Sequence, residues 1–283
     1  MIYFTDEELD RLIIEDVPYF DMTTRLTRLG SQLAKIQFYT KDPTVICATE
    51  EVMRLFGKLN ITPTLVTLSG ENLEANVKFL EAEGLAKHLH TIWRTSSNIM
   101  EYASGIATRT KNMIETAREV NPNIIIAGTR KTIPYTRKFV AKAFLSGGGN
   151  INRLSLSENI VFFKNHYNFF GGINGFLNKF DRIKKDASGK QIVVEVDNGA
   201  DALALSDLPV DVIQLDSFQP DELIKLTEQI KQTNSNIRLA AAGGINLDNV
   251  KEYANTGIDI IITSFPNGCR PADFRVEIAP IID

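Results

Sequence analysis

The sequence contains few of the residues that form disulfides and protein-held metal sites. It has two cysteines, Cys47 and Cys269, and three histidines. The cysteines are far apart, no CxxC pair occurs, and there is no HExxH motif or other metal-ligand spacing. The chain therefore lacks the pattern of a disulfide-rich protein, a zinc module or a dithiol redox enzyme.

An excess of positive charge is also absent. Lys and Arg total 31 against 35 for Asp and Glu, so the formal net charge is -4 and the isoelectric point is about 5.6. A general nucleic-acid binder needs a basic surface that displaces counterions from phosphates, so this class is not favoured. With 43% hydrophobic residues, the chain can still bury a sizeable core.

Long apolar runs are missing as well. No run approaches the roughly 20 residues that cross a bilayer. The first residues, MIYFTDEELDRL, carry charges where a signal peptide needs an apolar segment. We therefore expect a cytoplasmic protein with reduced cysteines and with neither a membrane nor a nucleic acid as a partner.

What the sequence does contain is a group of cations placed after apolar runs. Arg130 and Lys131 directly follow one run that is typical of a buried strand, and Lys164 follows a second. Between them, a glycine triplet precedes Arg153. A single cation in such a stretch is usually part of a solvated helix face. Cations that share one edge of a sheet instead indicate a pocket for a small anionic ligand.

The first part of the chain has the pattern of an open α/β sandwich. Thr5 and Glu8 form a T-x-x-E capping box ahead of an amphipathic helix. Apolar and polar residues alternate from Ala34 to Phe38, which predicts a half-buried strand. A helical stripe begins at Asn98 and predicts a long linking helix. We expect an N-terminal domain in residues 1–110 and a catalytic domain in residues 111–283, whose extreme C-terminus is a candidate for returning to the first domain.

The second part alternates strand-like runs with helix-length amphipathic stretches. The runs lie near Ile124, Ile160, Ile192, Val212, Ile237 and Ile260. This alternation is typical of a parallel sheet with crossover helices. Six or more such units without an edge-like strand favour a closed parallel βα barrel over an open sheet. No GxGxxG or GxxxxGK[ST] motif supports a Rossmann or P-loop fold.

Polar residues or glycines close each predicted strand. They are Arg130 and Lys131, Lys164, Glu195, Asp216, Gly243 and Gly244, and Thr263 and Ser264. In a βα barrel, the loops from all strands converge at the carboxyl ends, and active sites are assembled there. We therefore expect these side chains to lie around one site.

The residue types at this rim indicate the ligand. Arg and Lys suit carboxylates and phosphates. The Gly243–Gly244 turn lets backbone N–H groups at the start of a helix approach a phosphate. Glu195 and Asp216 can hold ribose hydroxyls or the Mg²⁺ that accompanies a diphosphate. Each feature alone is equally compatible with a helix cap, an ion pair or a tight turn. Together they indicate a sugar phosphate, or a diphosphate with its metal.

Several segments resemble the quinolinate phosphoribosyltransferase family, the carboxylating nicotinate-nucleotide pyrophosphorylases. They are RTSSN (Arg94–Asn98), SGIAT (Ser104–Thr108), TRKT (Thr129–Thr132), GGGxxxR (Gly147–Arg153), FFKNH (Phe162–His166) and AAGGIN (Ala241–Asn246). Within the family, EDVPY at residues 15–19, EYASGIATRT at residues 101–110 and TSFPNGCRPADF at residues 263–274 resemble the ModD branch, which is associated with molybdenum transport.

The resemblance implies a type II phosphoribosyltransferase fold, an α/β sandwich followed by a βα barrel. The implied reaction transfers ribose 5-phosphate from phosphoribosyl pyrophosphate to a pyridine dicarboxylate such as quinolinate. It releases diphosphate and CO2 and gives nicotinate mononucleotide, a step of NAD biosynthesis. The residues implied to bind the acidic heterocycle are Arg94, Arg130, Lys131, Asn152, Arg153 and Lys164.

For the donor, the resemblance implies that Glu195 and Asp216 hold the ribose and its Mg²⁺, the expected cofactor. With Lys131, which would lie between the acceptor carboxylates and the diphosphate, they are the implied catalytic residues. The 5-phosphate site is implied to consist of Gly243, Gly244 and Ser264. Arg94 is implied to reach into the site of a neighbouring subunit, so a homodimer with shared active sites is expected.

Two alternatives to quinolinate transfer stay open. Asn152 stands where the family usually has His. The first alternative is therefore a ModD-type enzyme that acts on a different nitrogen heterocycle. A non-catalytic sensor of an anionic metabolite, linked to molybdate uptake, is the other. The presence of both Glu195 and Asp216 favours catalysis, because a simple anion binder gains nothing from two carboxylates beside its ligand.

Overall fold

The computed structural model describes residues 2–282 and divides the chain into two compact units. The first comprises Met1–Lys111, Thr132–Gly148 and Pro266–Asp283, and the second comprises Asn112–Lys131 and Gly149–Phe265. Residues 132–148 and 266–283 therefore group with the first unit. Whether residues 1–110 and 111–283 behave as separate domains stays a prediction.

The first unit is built on a four-stranded antiparallel sheet with the order β13-β1-β5-β3. Its strands are β1 (Leu33–Thr40), β3 (Thr62–Val66), β5 (Lys78–Leu85) and β13 (Phe274–Pro280). A separate two-stranded ladder pairs β2 (Thr44–Val45) with β4 (Asn72–Leu73). Burial alternates along β1, which confirms that one of its faces covers a core.

Helices cover this sheet. They are α1 (Asp6–Asp16), α2 (Met22–Thr27), α3 (Thr49–Lys58), the long α4 (Ala86–Arg118) and α5 (Arg137–Ser146). The predicted capping box is confirmed, because the Thr5 hydroxyl accepts from the Glu8 N–H and the Glu8 carboxylate accepts from the Thr5 N–H. The core between sheet and helices is rich in large side chains, among them Phe38, Phe56, Phe79 and Leu89.

Helix α4 begins earlier than predicted. The apolar stripe was expected to start at Asn98, whereas the helix starts at Ala86, directly after β5. Its first turns bury Leu89 and Ile92 at helical spacing. Only the polar residues His90 and Thr91 lie between them, and they obscure the apolar stripe in the sequence. The packing rather than the local pattern therefore defines this end of the helix.

The second unit contains a seven-stranded, all-parallel sheet with the order β7-β6-β12-β11-β10-β9-β8. The strands are β6 (Ile125–Gly128), β7 (Asn150–Ile151), β8 (Ile160–Phe162), β9 (Ile192–Val196), β10 (Val212–Asp216), β11 (Arg238–Ala242) and β12 (Ile260–Thr263). The predicted parallel βα barrel is confirmed as a curled half-barrel.

The expected full closure is not formed, because the ladder order begins at β7 and ends at β8. Only residues 152–159 connect these two strands, and they contain no helix. Parallel neighbours need a crossover of about a dozen residues or more. The helices of this unit are α6 (Lys164–Tyr167), α7 (Ile173–Leu177), α8 (Phe180–Asp186), α9 (Gly199–Ser206), α10 (Pro220–Thr233) and α11 (Val250–Ala254).

Every second residue of the parallel strands points into the curl. The buried side chains that meet there are Ala127, Val161, Val193, Val212, Ala240, Ala242, Ile260 and Ile262. These side chains fill the lower part of the curl, so a cavity can form only above them, at the carboxyl ends of the strands. Within residues 2–282, no helix is long and apolar enough to cross a membrane.

Candidate active site

Strand alternation carries three polar side chains onto the inner face of the half-barrel. Glu195 lies two residues after the inward Val193, while Gln214 and Asp216 lie two and four residues after the inward Val212. Because successive side chains in a strand point to opposite faces, all three continue the inner rows. The strands β9 and β10 are neighbours, and Gln214 is the register partner of Glu195.

These side chains lie at a cavity of about 610 Å³ within the second unit. Its charged lining residues are Arg130, Lys131, Arg153, Glu195 and Asp216. Its neutral lining includes Asn152, Gly243, Gly244 and Ser264. The structure therefore brings together all but two of the site residues predicted from the sequence, at the expected end of the strands.

The cations come from the loops after β6 and β7. Arg130 carries a buried Nε atom that has no hydrogen-bond partner among residues 2–282. The Arg153 guanidinium lies 5.5 Å from the centre of the Phe163 ring, within the range of a cation–π contact. Burial and the neighbouring Arg130 lower the pKa of Arg153. Two guanidinium groups that repel each other in a partly buried pocket favour the binding of an anion between them.

The carboxylates face these cations. Burial, followed by repulsion from Asp216, raises the pKa of Glu195 to about 7, and the cations Lys131 and Arg153 oppose this rise. The Glu195 carboxylate accepts a hydrogen bond from the Gln214 amide. Asp216 accepts from the hydroxyl of Ser217 at 3.0 Å. Near neutral pH, Glu195 is therefore divided between its charged and neutral forms.

The two carboxylates fit Mg²⁺ that arrives with a diphosphate. Among residues 2–282, no group of three or more His, Cys, Asp or Glu side chains is arranged to hold a metal by itself. Mg²⁺ is usually bound by one or two carboxylates together with substrate phosphate oxygens. Glu195 and Asp216 are a donor set of that kind.

The glycine pair forms a tight turn after β11. Gly243 and Gly244 have φ angles of +95° and +67°, which favour glycine. A Cβ on Gly243 would lie 2.7 Å from the Ser217 hydroxyl oxygen, whereas one on Gly244 would meet nothing within 4 Å. The next helix, α11, starts only at Val250. The glycine N–H groups thus belong to a turn, and the predicted helix start lies farther along the chain.

Two predicted site residues do not line the cavity. Lys164 forms an ion pair with Asp197, with an Nζ–Oδ2 distance of 2.7 Å and a side chain that is 61% exposed. Arg94 lies on α4 in the first unit, with its guanidinium 4.1 Å from the centre of the Trp93 ring. Their proposed contacts with the acceptor stay predictions.

Gln214 and Phe163 are among the lining residues that were not predicted from the sequence. The alternation from Val212 to Asp216 carried the signal for Gln214, since both neighbours at a spacing of two are inward. Phe163 looks in sequence like one more apolar residue of β8. Only the fold brings its ring beside Arg153.

A parallel half-barrel whose carboxyl-end rim joins cations, two carboxylates and a glycine turn defines a βα-barrel site for anionic sugar-phosphate chemistry. Family models for the quinolinate phosphoribosyl transferase N-terminal domain and C-terminal domain match residues 21–104 and 106–277. The chain belongs to the quinolinate phosphoribosyl transferase family. It is accordingly a pentosyltransferase of the nicotinate-nucleotide diphosphorylase type.

Individual relatives cover the chain almost completely. A protein of Pasteurella multocida that bears the name pyrophosphorylase ModD is 36% identical over 98% of this chain and 99% of its own. A protein of Methanothermobacter thermautotrophicus, named as a carboxylating nicotinate-nucleotide pyrophosphorylase, is 30% identical over 94% of this chain and 96% of its own. The NadC crystal structure from Streptococcus pyogenes superimposes with a TM-score of 0.90, covering 100% of both chains at 24% identity, which supports the fold.

Proposed function

We propose that this protein transfers ribose 5-phosphate from phosphoribosyl pyrophosphate to the ring nitrogen of an acidic pyridine, with quinolinate as the leading acceptor. The observation that supports the proposal is that one and the same cavity is lined by Arg130, Lys131, Arg153, Glu195 and Asp216. Three cations match an acceptor with two carboxylates, and two carboxylates match a ribose with its metal. A binder of a simple anion would gain nothing from Glu195 and Asp216.

In this proposal, Arg130 and Arg153 bind the acceptor carboxylates, with Asn152 beside them. The buried Nε of Arg130 has no partner in the described part of the chain and can donate to a ligand oxygen. Lys131 lies between the two substrates and neutralises charge on the departing diphosphate. Gly243, Gly244 and Ser264 receive the 5-phosphate, since Gly244 has open space where a side chain would otherwise stand.

Glu195 and Asp216 hold the ribose hydroxyls and the Mg²⁺ that accompanies the donor. When bound, this ion supplies positive charge that stabilises the leaving diphosphate. As the bond from C1 of the ribose to the diphosphate oxygen breaks, positive charge develops on the ribose ring. The Asp216 carboxylate and the charged form of Glu195 stabilise that charge without reorganisation.

The acceptor nitrogen then forms the new bond to C1. With quinolinate, the ring nitrogen becomes positively charged, the electron pair of the adjacent C–carboxylate bond stays on the ring carbon as CO2 leaves, and that carbon then takes up a proton from water. Arg130 and Arg153 keep the acceptor oriented during these steps, so no side-chain nucleophile is required. The product would be nicotinate mononucleotide, which places the reaction in NAD biosynthesis.

A different nitrogen heterocycle is the second candidate acceptor. Asn152, which lines the cavity beside the two arginines, is a neutral donor and acceptor where the family usually has His. One charged contact with a dicarboxylate is thereby exchanged for a neutral one. The similarity to a protein named pyrophosphorylase ModD supports this candidate. A link to molybdenum transport is part of the same proposal and rests on the resemblance to the ModD branch.

Arg94 and Lys164 enter the proposal through a homodimer. Arg94 would reach the site of the partner subunit, and Lys164 would leave Asp197 to bind an acceptor carboxylate. Two inactive variants, Arg94→Ala and Lys164→Ala, should then regain activity when they are unfolded and refolded together. Random pairing gives roughly one quarter of the wild-type activity. Mixed dimers confirmed by mass spectrometry but without activity would contradict a shared site.

The direct test is incubation of the pure protein with phosphoribosyl pyrophosphate, Mg²⁺ and a panel of pyridine and purine acids. Diphosphate release that depends on one acceptor identifies the substrate. Glu195→Gln and Asp216→Asn should lose turnover while acceptor affinity, measured by calorimetry, hardly changes. Acceptor binding without turnover under any condition would favour a sensor and would contradict the proposed transfer.

A further inference from the structure

Phe163 is an aromatic residue that lines the cavity of the candidate active site. It directly follows β8 and comes two residues after the inward Val161. Because side chains alternate along a strand, its ring continues the inner row, where it packs against the buried core of the half-barrel. One part of the ring is therefore anchored in the core, and another part faces the cavity.

His166 holds Phe163 in this position. The Nδ1 atom of His166 accepts a hydrogen bond from the Phe163 backbone N–H at 3.0 Å, and the His166 backbone N–H donates to the Phe163 carbonyl at 2.8 Å. The two rings are stacked, with their centres 5.7 Å apart and an interplanar angle of 28°. Contacts with the core and with His166 thus fix both the backbone and the ring of Phe163.

The guanidinium of Arg153 lies over this ring, with its Cζ atom 5.5 Å from the ring centre. Among residues 2–282, the guanidinium forms no ion pair and donates no hydrogen bond. Three lysines of the second unit are instead held by carboxylates, Lys164 by Asp197, Lys184 by Asp211 and Lys231 by Asp259. The contact that orients Arg153 is therefore the face of the Phe163 ring.

An aromatic face and a carboxylate hold an arginine in different ways. A carboxylate occupies N–H donors of the guanidinium and neutralises its charge. An aromatic face attracts the cation through the quadrupole of the ring and occupies none of the donors that lie in the guanidinium plane. A leucine at position 163 would also pack against the core but would offer no such face. Packing alone therefore does not account for the aromatic ring.

We propose that Phe163 is a positioning residue whose ring holds the Arg153 guanidinium in the empty site and leaves its N–H donors free for an acceptor carboxylate. The inference rests on the proposed function, in which Arg153 binds the acceptor. Phe163 acts through Arg153 and not by touching the acceptor. A guanidinium that is already in place loses less side-chain entropy when the ligand binds. Removal of the ring should therefore weaken acceptor binding and leave donor binding unchanged.

The first test needs no ligand. In ¹⁵N-labelled protein, the Nε–H resonance of Arg153 is identified by its absence from the NMR spectrum of Arg153→Lys. A proton close to an aromatic face is shifted upfield, so this resonance should move downfield in Phe163→Leu. It should stay near the wild-type position in Phe163→Tyr, which keeps the ring. Phe163→Met replaces Phe163→Leu if that variant does not fold. An unchanged Arg153 resonance in the folded variant overturns the proposal.

Phe170→Leu is the matched control for this substitution. Phe170 belongs to the same unit, and its ring also contacts a cation, the Nζ atom of Lys179 at 4.9 Å. Loss of this ring should leave the Arg153 resonance and the affinity for quinolinate at their wild-type values. An equal downfield shift in Phe170→Leu would assign the effect to a general change of the fold and would contradict a specific role of Phe163.

Quinolinate is the probe for binding. We expect calorimetry to show a loss of affinity of roughly threefold to tenfold in Phe163→Leu, as for a partly buried cation–π contact, and wild-type affinity in Phe163→Tyr. In steady-state kinetics, KM for quinolinate should rise, while kcat and KM for phosphoribosyl pyrophosphate change little. Wild-type affinity for quinolinate in a Phe163→Leu protein whose Arg153 resonance has moved would show that the contact has no role in binding, and the proposal would fall.

Arg153→Lys separates positioning from direct contact. Lysine keeps the charge, so binding stays measurable, but its flexible ammonium is not held against a ring as a planar guanidinium is, and Phe163→Leu should then weaken binding by about twofold at most. An undiminished loss would mean that the ring contacts the acceptor directly, which overturns the proposal. If the wild type binds no quinolinate, the proposed acceptor is wrong, and the NMR comparison alone decides whether Phe163 positions Arg153.

Discussion

The Glu195 and Asp216 carboxylates project from adjacent parallel strands into the same cavity. Burial and the charge of Asp216 raise the pKa of Glu195 to about 7, from an ordinary value of 4.5. The fold thus keeps one acidic side chain in an environment that disfavours its charged form. An electrostatic environment of this kind is expected at a site that binds charged ligands, and its effect on the stability of the protein can be measured.

Replacing Glu195 by Gln should stabilise the protein above neutral pH. The native state holds the Glu195 proton up to about pH 7, whereas the unfolded chain releases it near 4.5. Between these values the native state binds more protons, so the free energy of unfolding falls as pH rises. A Gln side chain at position 195 does not ionise in this pH range. We expect Glu195→Gln to gain on the order of 2 kcal/mol relative to wild type between pH 5 and pH 8.

Urea unfolding at both pH values measures this difference. Glu228→Gln on the exposed face of α10 serves as the matched control, because it removes the same charge without removing a buried group. Its stability relative to wild type should change little between pH 5 and pH 8. If Glu195→Gln behaves like Glu228→Gln, the Glu195 carboxylate is not destabilised by its surroundings.

Substitution of Gly243 by Ala should damage the donor side of the site. The new Cβ would lie 2.7 Å from the Ser217 hydroxyl oxygen and 2.8 Å from its backbone nitrogen. That backbone nitrogen donates to the Ala242 carbonyl, and the hydroxyl donates to Asp216. Ser217 must therefore move, and Asp216 with it. We expect a loss of roughly 1–3 kcal/mol in stability and weaker binding of phosphoribosyl pyrophosphate.

Gly171 provides the control for backbone strain. Its φ angle of +84° is similar, but a Cβ there would meet nothing within 4 Å. Gly171→Ala therefore carries the conformational cost without the collision, and donor binding should stay unchanged. Equal losses of stability in the two variants, with donor binding intact in both, would show that the contact with Ser217 is unimportant.

Much of the site could be predicted because the relevant signal is local. In β9 and β10, a polar residue that closes an apolar strand-like run indicated a carboxylate at a barrel rim, as found for Glu195 and Asp216. Gln214 lies in the middle of β10 rather than at its end, so the criterion of a polar residue at the strand end did not select it. The functional residues at the strand ends could thus be predicted from the sequence, whereas the contacts between strands could not.

The contact between Lys164 and its ion-pair partner is one that joins the ends of two different strands. Asp197 lies in the next βα unit, and only the pairing of β8 with β9 brings the two strand ends together. From the sequence, Lys164 was predicted to bind an acceptor carboxylate, because no Asp or Glu lies close to it along the chain. The predicted closure of the barrel was wrong for a similar reason. Whether β7 pairs with β8 depends on the length of their connection rather than on their composition.

Removing Asp197 should tighten acceptor binding through Lys164. In Asp197→Asn, Lys164 loses its ion-pair partner. Both side chains are exposed, so the substitution should leave the fold intact. We expect the acceptor affinity to rise roughly twofold to fivefold. Calorimetric titrations of Asp197→Asn, Lys164→Ala and the double variant form the test. A gain that persists when Lys164 is also replaced would mean that Asp197 acts on the acceptor directly.

Position 152 offers the sharpest test of the acceptor. The Asn152 backbone is anchored on both sides, with its N–H donating to the Gly128 carbonyl at 3.2 Å and its carbonyl accepting from Asn159 at 3.1 Å. A changed side chain should therefore leave the loop in place. In Asn152→His, the imidazole would stand near Arg130 and Arg153, which disfavour its charge in the empty site. A bound dicarboxylate reverses this balance and raises the pKa of the imidazole.

Quinolinate binding to Asn152→His should then take up a proton. We expect affinity for quinolinate to improve roughly fivefold to tenfold at pH 6 and clearly less at pH 8, because one neutral contact becomes a charge-assisted one. We expect turnover of quinolinate to be weak in the wild type and to improve several-fold in Asn152→His, more at pH 6 than at pH 8. Asn152→Gln is the control, since it adds volume without a titrating group and should give no pH-dependent gain. Efficient quinolinate turnover by the wild type, together with no gain from His at either pH, would mean that this position does not select the acceptor.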